Sequence, residues 1–539
     1  VPRAPRGATR IGSRRVSFDG LDELPDAVDE LAADLDAQWR AAGVVPPQTA
    51  PPLRVAAALS SSRQAVAGYL QALEALRAGD APGARRGLDA ALNEDRAFAL
   101  AALQKAFLDL TEGTVPAPCS ATRAPLLDRA CEGIRRLAEG DAARALQSGE
   151  RLAQEQPHAA WGAIVRGLAL VRLGRRAEAL PDWRRAAALD LLDPRPQLWL
   201  GRSLMATGDF AGAAAALAAA RRGIPSLLRA HVLHAEALAR QRDTAGAAAV
   251  LNDLRARMEA AGSIPPSDSL NPYLMLGAVQ LMEGKFQGAL AAFEDAVKRL
   301  AAAGAPIDAT RTLYVTIAEM RRDLVVSRDP LLRERQLEEA EQALADLERA
   351  LPPREREAAP WVAQRLKGLI WLRRNMPVEA WKVVEDLRSH AGKPGYTGYE
   401  DAYLSAAIML KEGDAEGALA QFQRVVQARG KMVDVMDLAQ VQFRMNLREP
   451  ARANLAEFEE RLSRYDPGPE EEGEMVLTNP HLSLLVPIYH FTRGQFSYTV
   501  GDAADSRRHY GRMLSYFREP DEQFMAFVKE ATGRGAQPE

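Results

Sequence analysis

A 34-residue interval governs the stretch from Gly140 to Arg242. Gly140, Gly174, Gly208 and Arg242 stand at that spacing. Five residues after each lies an alanine: Ala145, Ala179, Ala213 and Ala247. Seven residues before each lies a small residue: Gly133, Gly167, Gly201 and Ala235. A fixed period of this length marks a unit that cannot bury its apolar face alone and must stack on its neighbours. The spacing predicts helix A, a tight turn, then helix B. The small residue of A is expected to face the alanine of B, so that the two backbones cross closely. Glycine suits the turn because a helix commonly ends in a left-handed residue.

Larger and helix-stopping residues repeat in the same register. Trp183, Leu217 and Leu251 stand nine residues after their turns, and Pro157 and Pro225 seventeen after theirs. Leu191 takes the proline position of the Gly174 repeat, with Pro194 close behind. Small, large and proline positions together resemble the tetratricopeptide repeat family. That resemblance implies an all-α, right-handed superhelix (an α-α solenoid) whose function is binding protein or peptide.

The pattern extends in both directions. Gly79, Gly284, Asn375, Gly413, Asn446 and Gly501 are further turn positions in register. With an irregular pair near 311–352, about ten to eleven helix pairs are expected. Residues 1–45 form an arm followed by a short strand (Arg14–Phe18) and a helix from Leu24 to Ala42. Residues 46–60 are a proline-rich linker. The arrays then span 61–306 and 307–465, an acidic loop spans 466–480, and a final pair with its tail spans 481–539.

A 539-residue chain exceeds one compact core, but a solenoid grows without that limit. Alanine supplies much of the 47% hydrophobic content, while aromatics make up only 6%, which suits close-packed helices. The net charge of −3 gives no global field favouring nucleic acid. No apolar run reaches the roughly 18 residues of a membrane-spanning helix. Val1 stands where an initiator methionine would, so the chain is expected to be a segment of something longer.

Catalytic signatures are missing: no phosphate loop, no H-E-x-x-H, no G-x-S-x-G and no kinase motifs. No cofactor or metal is expected. His231 and His234 lack a third ligand and read as packed or surface residues. Cys119 and Cys131 are the only cysteines, too far apart for a C-x-x-C site. Either they form a disulfide, which favours a periplasmic or other extracytoplasmic location, or they are two buried thiols.

The concave side of such a solenoid is lined by helix A. Taking each turn residue as position 15, positions 2, 5, 9, 12 and 13 face the groove. They are Trp161, Ile164, Leu168, Val171 and Arg172 in one repeat. The next has Arg195, Leu198, Arg202, Met205 and Ala206, and the third Arg229, Val232, Glu236, Ala239 and Arg240. Arg172, Arg195, Arg202, Arg229 and Arg240 are expected to form a basic stripe beside an apolar floor. Such a groove fits a peptide with acidic and apolar side chains. The alternative is a solvated face without a ligand. Ile164, Leu168, Leu198 and Arg202 do not match the Lys and Asn clamp by which some chaperone-binding repeat proteins hold a terminal carboxylate.

A broader resemblance concerns layout. Phe18–Pro25 with its helix, the proline linker, Tyr69–Ala91, and the end from Gly501 through Tyr510 to Phe517 are similar to a bacterial arrangement. It is the repeat-rich region that follows the kinase and membrane segment of some Ser/Thr kinases. That implies a sensing or scaffolding segment whose catalytic domain lies elsewhere. A free scaffold subunit of a multiprotein complex, cytoplasmic or periplasmic, is the competing reading.

Overall fold

The computed structural model describes residues 16, 23–41, 54–78, 80–111, 113–118, 124–190, 193–265, 270–307, 310–325, 329–353, 361–393, 395–465 and 475–539. The expected strand at Arg14–Phe18, apart from Val16, lies outside them. Among the described residues every regular element is a helix. The chain divides into two compact units, 1–207 with 215–230, and 208–214 with 231–539.

In the first unit, α1 (Leu24–Ala41) matches the expected helix, and α2 (Val55–Ala58) is a short turn within the proline-rich linker. The pair α3 (Arg63–Ala78) and α4 (Ala81–Glu94) follows, then the single helix α5 (Ala99–Thr111). Three further pairs carry the 34-residue period: α6 (Pro125–Ala138) with α7 (Ala142–Glu155), α8 (Ala160–Arg172) with α9 (Arg176–Leu189), and α10 (Arg195–Ala206) with α11 (Phe210–Gly223). The unit boundary passes through α11 and through α12 (Leu228–Arg240).

The second unit continues with α13 (Thr244–Ala260), α14 (Pro272–Met282) and α15 (Phe286–Ala302). The irregular pair is α16 (Arg311–Asp323) with α17 (Pro330–Ala350). Then come α18 (Trp361–Arg373) with α19 (Pro377–Ser389), α20 (Tyr399–Glu412) with α21 (Ala415–Ala428), and α22 (Met432–Arg444) with α23 (Arg448–Leu462). A longer helix α24 (Pro480–Thr499) pairs with α25 (Ala503–Tyr516), and α26 (Met525–Gly533) closes the chain.

The turns follow the register. Gly140, Gly174 and Gly208 sit at φ 83°, 75° and 83°, and Arg242, Asn375 and Asn446 adopt the same left-handed region without being glycine. The residue after the turn is often aspartate. Asp141, Asp209, Asp243, Asp414 and Asp502 each accept an N–H three residues on, at 2.8–3.1 Å, capping helix B.

Where an alanine stands five residues after the turn, as at Ala145, Ala179, Ala213 and Ala247, it is fully buried. The small residue of helix A, however, does not have that alanine as its nearest neighbour. A Cβ on Gly167 would meet the ring of Trp183 at 2.7 Å, on Gly201 the side chain of Leu217 at 2.5 Å, and on Gly494 the ring of Tyr510 at 2.8 Å. Gly277 meets Phe293 in the same way. In these four pairs the glycine makes room for the large residue nine positions after the turn, whereas Gly133 and Gly368 make room for Val165 and Leu404 of the following pair. Helix B still lies close by: Ser506, in the alanine position of the last pair, donates to the Gly494 carbonyl at 2.9 Å.

Candidate functional site

Helices α8 and α10 carry the predicted apolar floor of the first unit. Ile164 and Leu198 are buried (1% and 8% exposed) and so belong to the core rather than to an open surface. Trp161 and Leu168 are half-buried over the cluster Ala160, Ala163, Ile164 and Ala186. Trp199, outside the predicted set, packs against that cluster, its ring tilted against Trp183 at 4.9 Å and against Phe107 of α5 at 5.4 Å. It directly follows Leu198, but adjacent helical residues point about 100° apart, so counting groove positions passes over it. Trp183 is anchored from below by its indole N–H, which donates to Ser203 at 3.1 Å.

The arginines differ from one another. Arg172 is exposed, and Arg202 and Arg229 are half-buried. Arg195 is held in place. Its Nε donates to both oxygens of Asp193 at 2.8 and 2.9 Å, its guanidinium lies 4.5 Å from the Phe107 ring centre, and Nη1 reaches Gln104 at 3.3 Å. A fork already filled by its own carboxylate cannot grip a second one with both arms. A second ion pair lies nearby: Arg166 donates to both oxygens of Asp182. Burial pushes Asp182 upward, and Arg166 opposes that shift.

In the second unit the expected open stripe fails at Arg240. Its side chain is only 2% exposed and pairs with fully buried Glu236 at 2.7 Å. It also donates to the carbonyls of Leu462 and Arg464, at 2.8 and 3.3 Å. Glu236 in turn accepts the backbone N–H groups of Val476 and Leu477, at 2.8 and 3.0 Å. Val232 and Ala239 are buried as well. The physical reason is that the chain's own later segment lies on α12. Met475, Val476 and Leu477 are buried, so this end of the expected acidic loop is apolar packing; Asp466–Glu474 lie outside the described residues.

Further along, the inner helices carry a polar cluster that the groove positions of only three repeats did not cover. Arg365 of α18, 8% exposed, pairs with Glu319 of α16 at 3.0 Å and with Glu400 of α20. Arg429 lies 3.8 Å from the Tyr399 ring centre. Applying positions 2 and 5 to later turns would have found Glu400, Arg365 and Tyr403. In the same region Asp437 has a buried Oδ2 without a hydrogen-bond partner, and burial raises its carboxyl to about 6. A separate open cleft of about 860 Å³ runs between α15, α16 and α17, where Arg321 bridges Glu294 and Glu339.

The remaining predicted residues are simply placed. His231 is buried, 3.5 Å from Asp253, and His234 is half-buried. Cys131 is buried on α6, and Cys119 lies outside the described residues. Among the described residues no helix is long and apolar enough to cross a membrane.

No family model and no curated protein matches the chain. Solved structures that align with it include the APC/C hetero-tetramer Cut9–Hcn1, with 14% identity over 88% of this chain and 84% of that one and a TM-score of 0.38. Yeast Tom70 aligns at 11% identity over 87% and 95% of the two chains, with a TM-score of 0.34. A tetratricopeptide repeat protein from Parabacteroides merdae aligns at 11% over 71% and 100%, with a TM-score of 0.22.

Proposed function

We infer that this chain, an array of tetratricopeptide-type helix pairs, is a non-catalytic scaffold that binds a protein segment on the inner helices of its first unit. The observation that carries the reading is the half-buried strip Trp161, Leu168 and Trp199, seated on core residues. Large, rigid aromatics of this kind supply contact area at little entropic cost, and arginines at their margin supply attraction and register. Arg172, exposed at the end of α8, fills that marginal role. Arg195, already filled by Asp193, instead stiffens the start of α10. The fitting partner is a segment with apolar side chains flanked by acidic ones.

Selection of binders from a degenerate peptide pool tests this. Recovered peptides should be enriched in Asp or Glu beside Leu, Ile or Phe. Trp161→Ala with Trp199→Ala should weaken them at least about thirtyfold with helical circular dichroism unchanged, because losing even one anchor of roughly 2 kcal/mol corresponds to about that factor. Equal binding by the double variant sinks the reading.

We further propose that the scaffold is the sensing region of a bacterial membrane-anchored signalling protein, working outside the cytoplasm. The layout of the linker, first pair and last pair supports it, and the reading carries with it a Cys119–Cys131 disulfide. Intact mass without reductant should fall two hydrogens below the reduced mass. Two alkylatable thiols in protein from its native compartment would remove that support, and a gene with no membrane segment upstream of Val1 would favour a free scaffold subunit.

A further inference from the structure

The second unit covers its own inner helices. Helix α14 packs against α24, and Glu236 of α12 holds the backbone of Val476 and Leu477. At the other end of the covering segment, Tyr516 donates to the Ala239 carbonyl at 3.4 Å. Asp521 then closes over the next turn: its N–H donates to Gly284 O at 2.9 Å and its carboxylate accepts from Gln287 N at 2.8 Å. Inner helices are the surface that a repeat array offers to partners. Here that surface is occupied by residues 475–521 of the same chain.

Two histidines join the halves of this cover. His490 of α24 and His509 of α25 are 6% and 0% exposed, and their Nδ1 atoms lie 3.1 Å apart. At that distance one ring must donate its Nδ1–H and the other accept it. If both rings carry two protons, both Nδ1 atoms become donors and the contact cannot be made. His490 also stacks on Tyr516, the residue that reaches α12. A cavity of about 190 Å³ bordered by His490, Tyr516, Arg240 and Phe210 adjoins the contact.

The surrounding charges oppose each other. Arg242 after α12, Arg493 on α24, and Arg508 and Arg512 on α25 disfavour an added positive charge. Glu459 of α23 and Asp505 of α25 favour it, lying 4.0 and 3.6 Å from His509 Nε2. Glu236 and Arg240 neutralise one another below Tyr516. Burial is the largest influence on both rings: it holds His490 well below the usual imidazole range and lowers His509 to about 4. Both rings are therefore neutral at pH 7 and resist protonation while the cover is closed. Lifting the cover returns them to water and to ordinary basicity, so acid favours the open form.

We propose that segment 475–521 is a releasable cover over the inner face of α12 and α14, and that proton uptake by both rings of the His490–His509 contact opens it. The first unit's binding face plays no part in this device, so the two readings stand or fall separately.

Hydrogen exchange of the full chain, corrected for intrinsic pH dependence, reads the cover directly. Between pH 7.5 and 5.0, protection of α12, α14, α24 and α25 should fall at least tenfold, while α8 and α9 change less than twofold. His490→Asn with His509→Asn keeps a donor and an acceptor near the Nδ1 positions without titrating, and should reduce the tenfold loss to under twofold. If that variant does not fold, histidine-selective NMR of the unmodified protein decides. Two imidazole signals should remain neutral well below pH 6 until the cover opens. Unchanged protection at pH 5.0, or two rings that titrate like free imidazole with the cover still protected, overturns the proposal.

Discussion

The Trp183 ring occupies the space that a Cβ on Gly167 would enter, with Cη2 2.7 Å from that position. Trp183 is fully buried and its indole N–H is tied to Ser203, so the ring cannot easily swing aside. Helix propensity alone favours alanine over glycine by about 1 kcal/mol. Overpacking a filled core costs about 1–3 kcal/mol. Gly167→Ala should therefore destabilise the first unit on balance, seen as a lower urea midpoint. A raised midpoint would show that the ring relaxes and the crossing is loose.

The turns isolate backbone conformation from packing. Gly174 has φ 75°, and nothing lies within 4 Å of the place a methyl group would take there. Gly174→Ala should cost about 1–2 kcal/mol from the left-handed conformation alone. Arg242 has φ 70° but also pairs with Glu539 at 3.2 Å. Arg242→Gly should gain a similar amount, less the ion pair's contribution of roughly 0–1 kcal/mol. Thermal melts in which both changes are neutral would mean the turns fray without consequence.

Glu236 is fully buried and accepts hydrogen bonds from Arg240, Val476 and Leu477. Glu236→Ala leaves the Arg240 charge without its carboxylate and two backbone N–H groups without acceptors. Removing one partner of a buried pair costs about 3–5 kcal/mol. The loss should concentrate in α12 and residues 475–477, because coupling in repeat arrays runs between neighbours. Hydrogen exchange showing uniform loss across both units would contradict that locality.

Asp437 gives a pH signature of definite sign. Burial lifts its carboxyl from the ordinary 3.8 to about 6, so the folded chain binds more protons than the unfolded chain between those values. Its ionisation therefore lowers stability as pH rises from 3.8 to about 6, and the penalty is constant above that. Asp437→Asn should be more stable than the parent at pH 7.5, by roughly 1–3 kcal/mol for a shift of this size. The two proteins should converge below pH 4. A variant that is less stable at pH 7.5 would mean Asp437 ionises with a useful partner.

Local spacing is enough to place the helix pairs and their turns, because each depends on residues within one repeat. Gly174 needs only a left-handed end, and Ala179 needs only its own helix crossing. Spacing alone sets Gly167 against Ala179, whereas in the fold it meets Trp183. Sequence distance cannot tell which of two residues one helical turn apart points across the crossing. The Asp caps after Gly140 and Gly208 are equally local and could have been read from the chain.

The groove was legible only in part, for a different reason. Position counting places Arg195, Arg202 and Arg240 on the inner sides of their helices, and a helix face is a property of local periodicity. What meets that face is not. Asp193 fills Arg195 from two residues away, whereas Arg240 and Glu236 are covered by residues more than 200 positions later. The 34-residue repeat thus determined helix, turn and inner face from the sequence alone. Only the tertiary structure decided which inner faces stay open, because burial of Glu236 under Val476 and Leu477 is a long-range contact with no periodic signature.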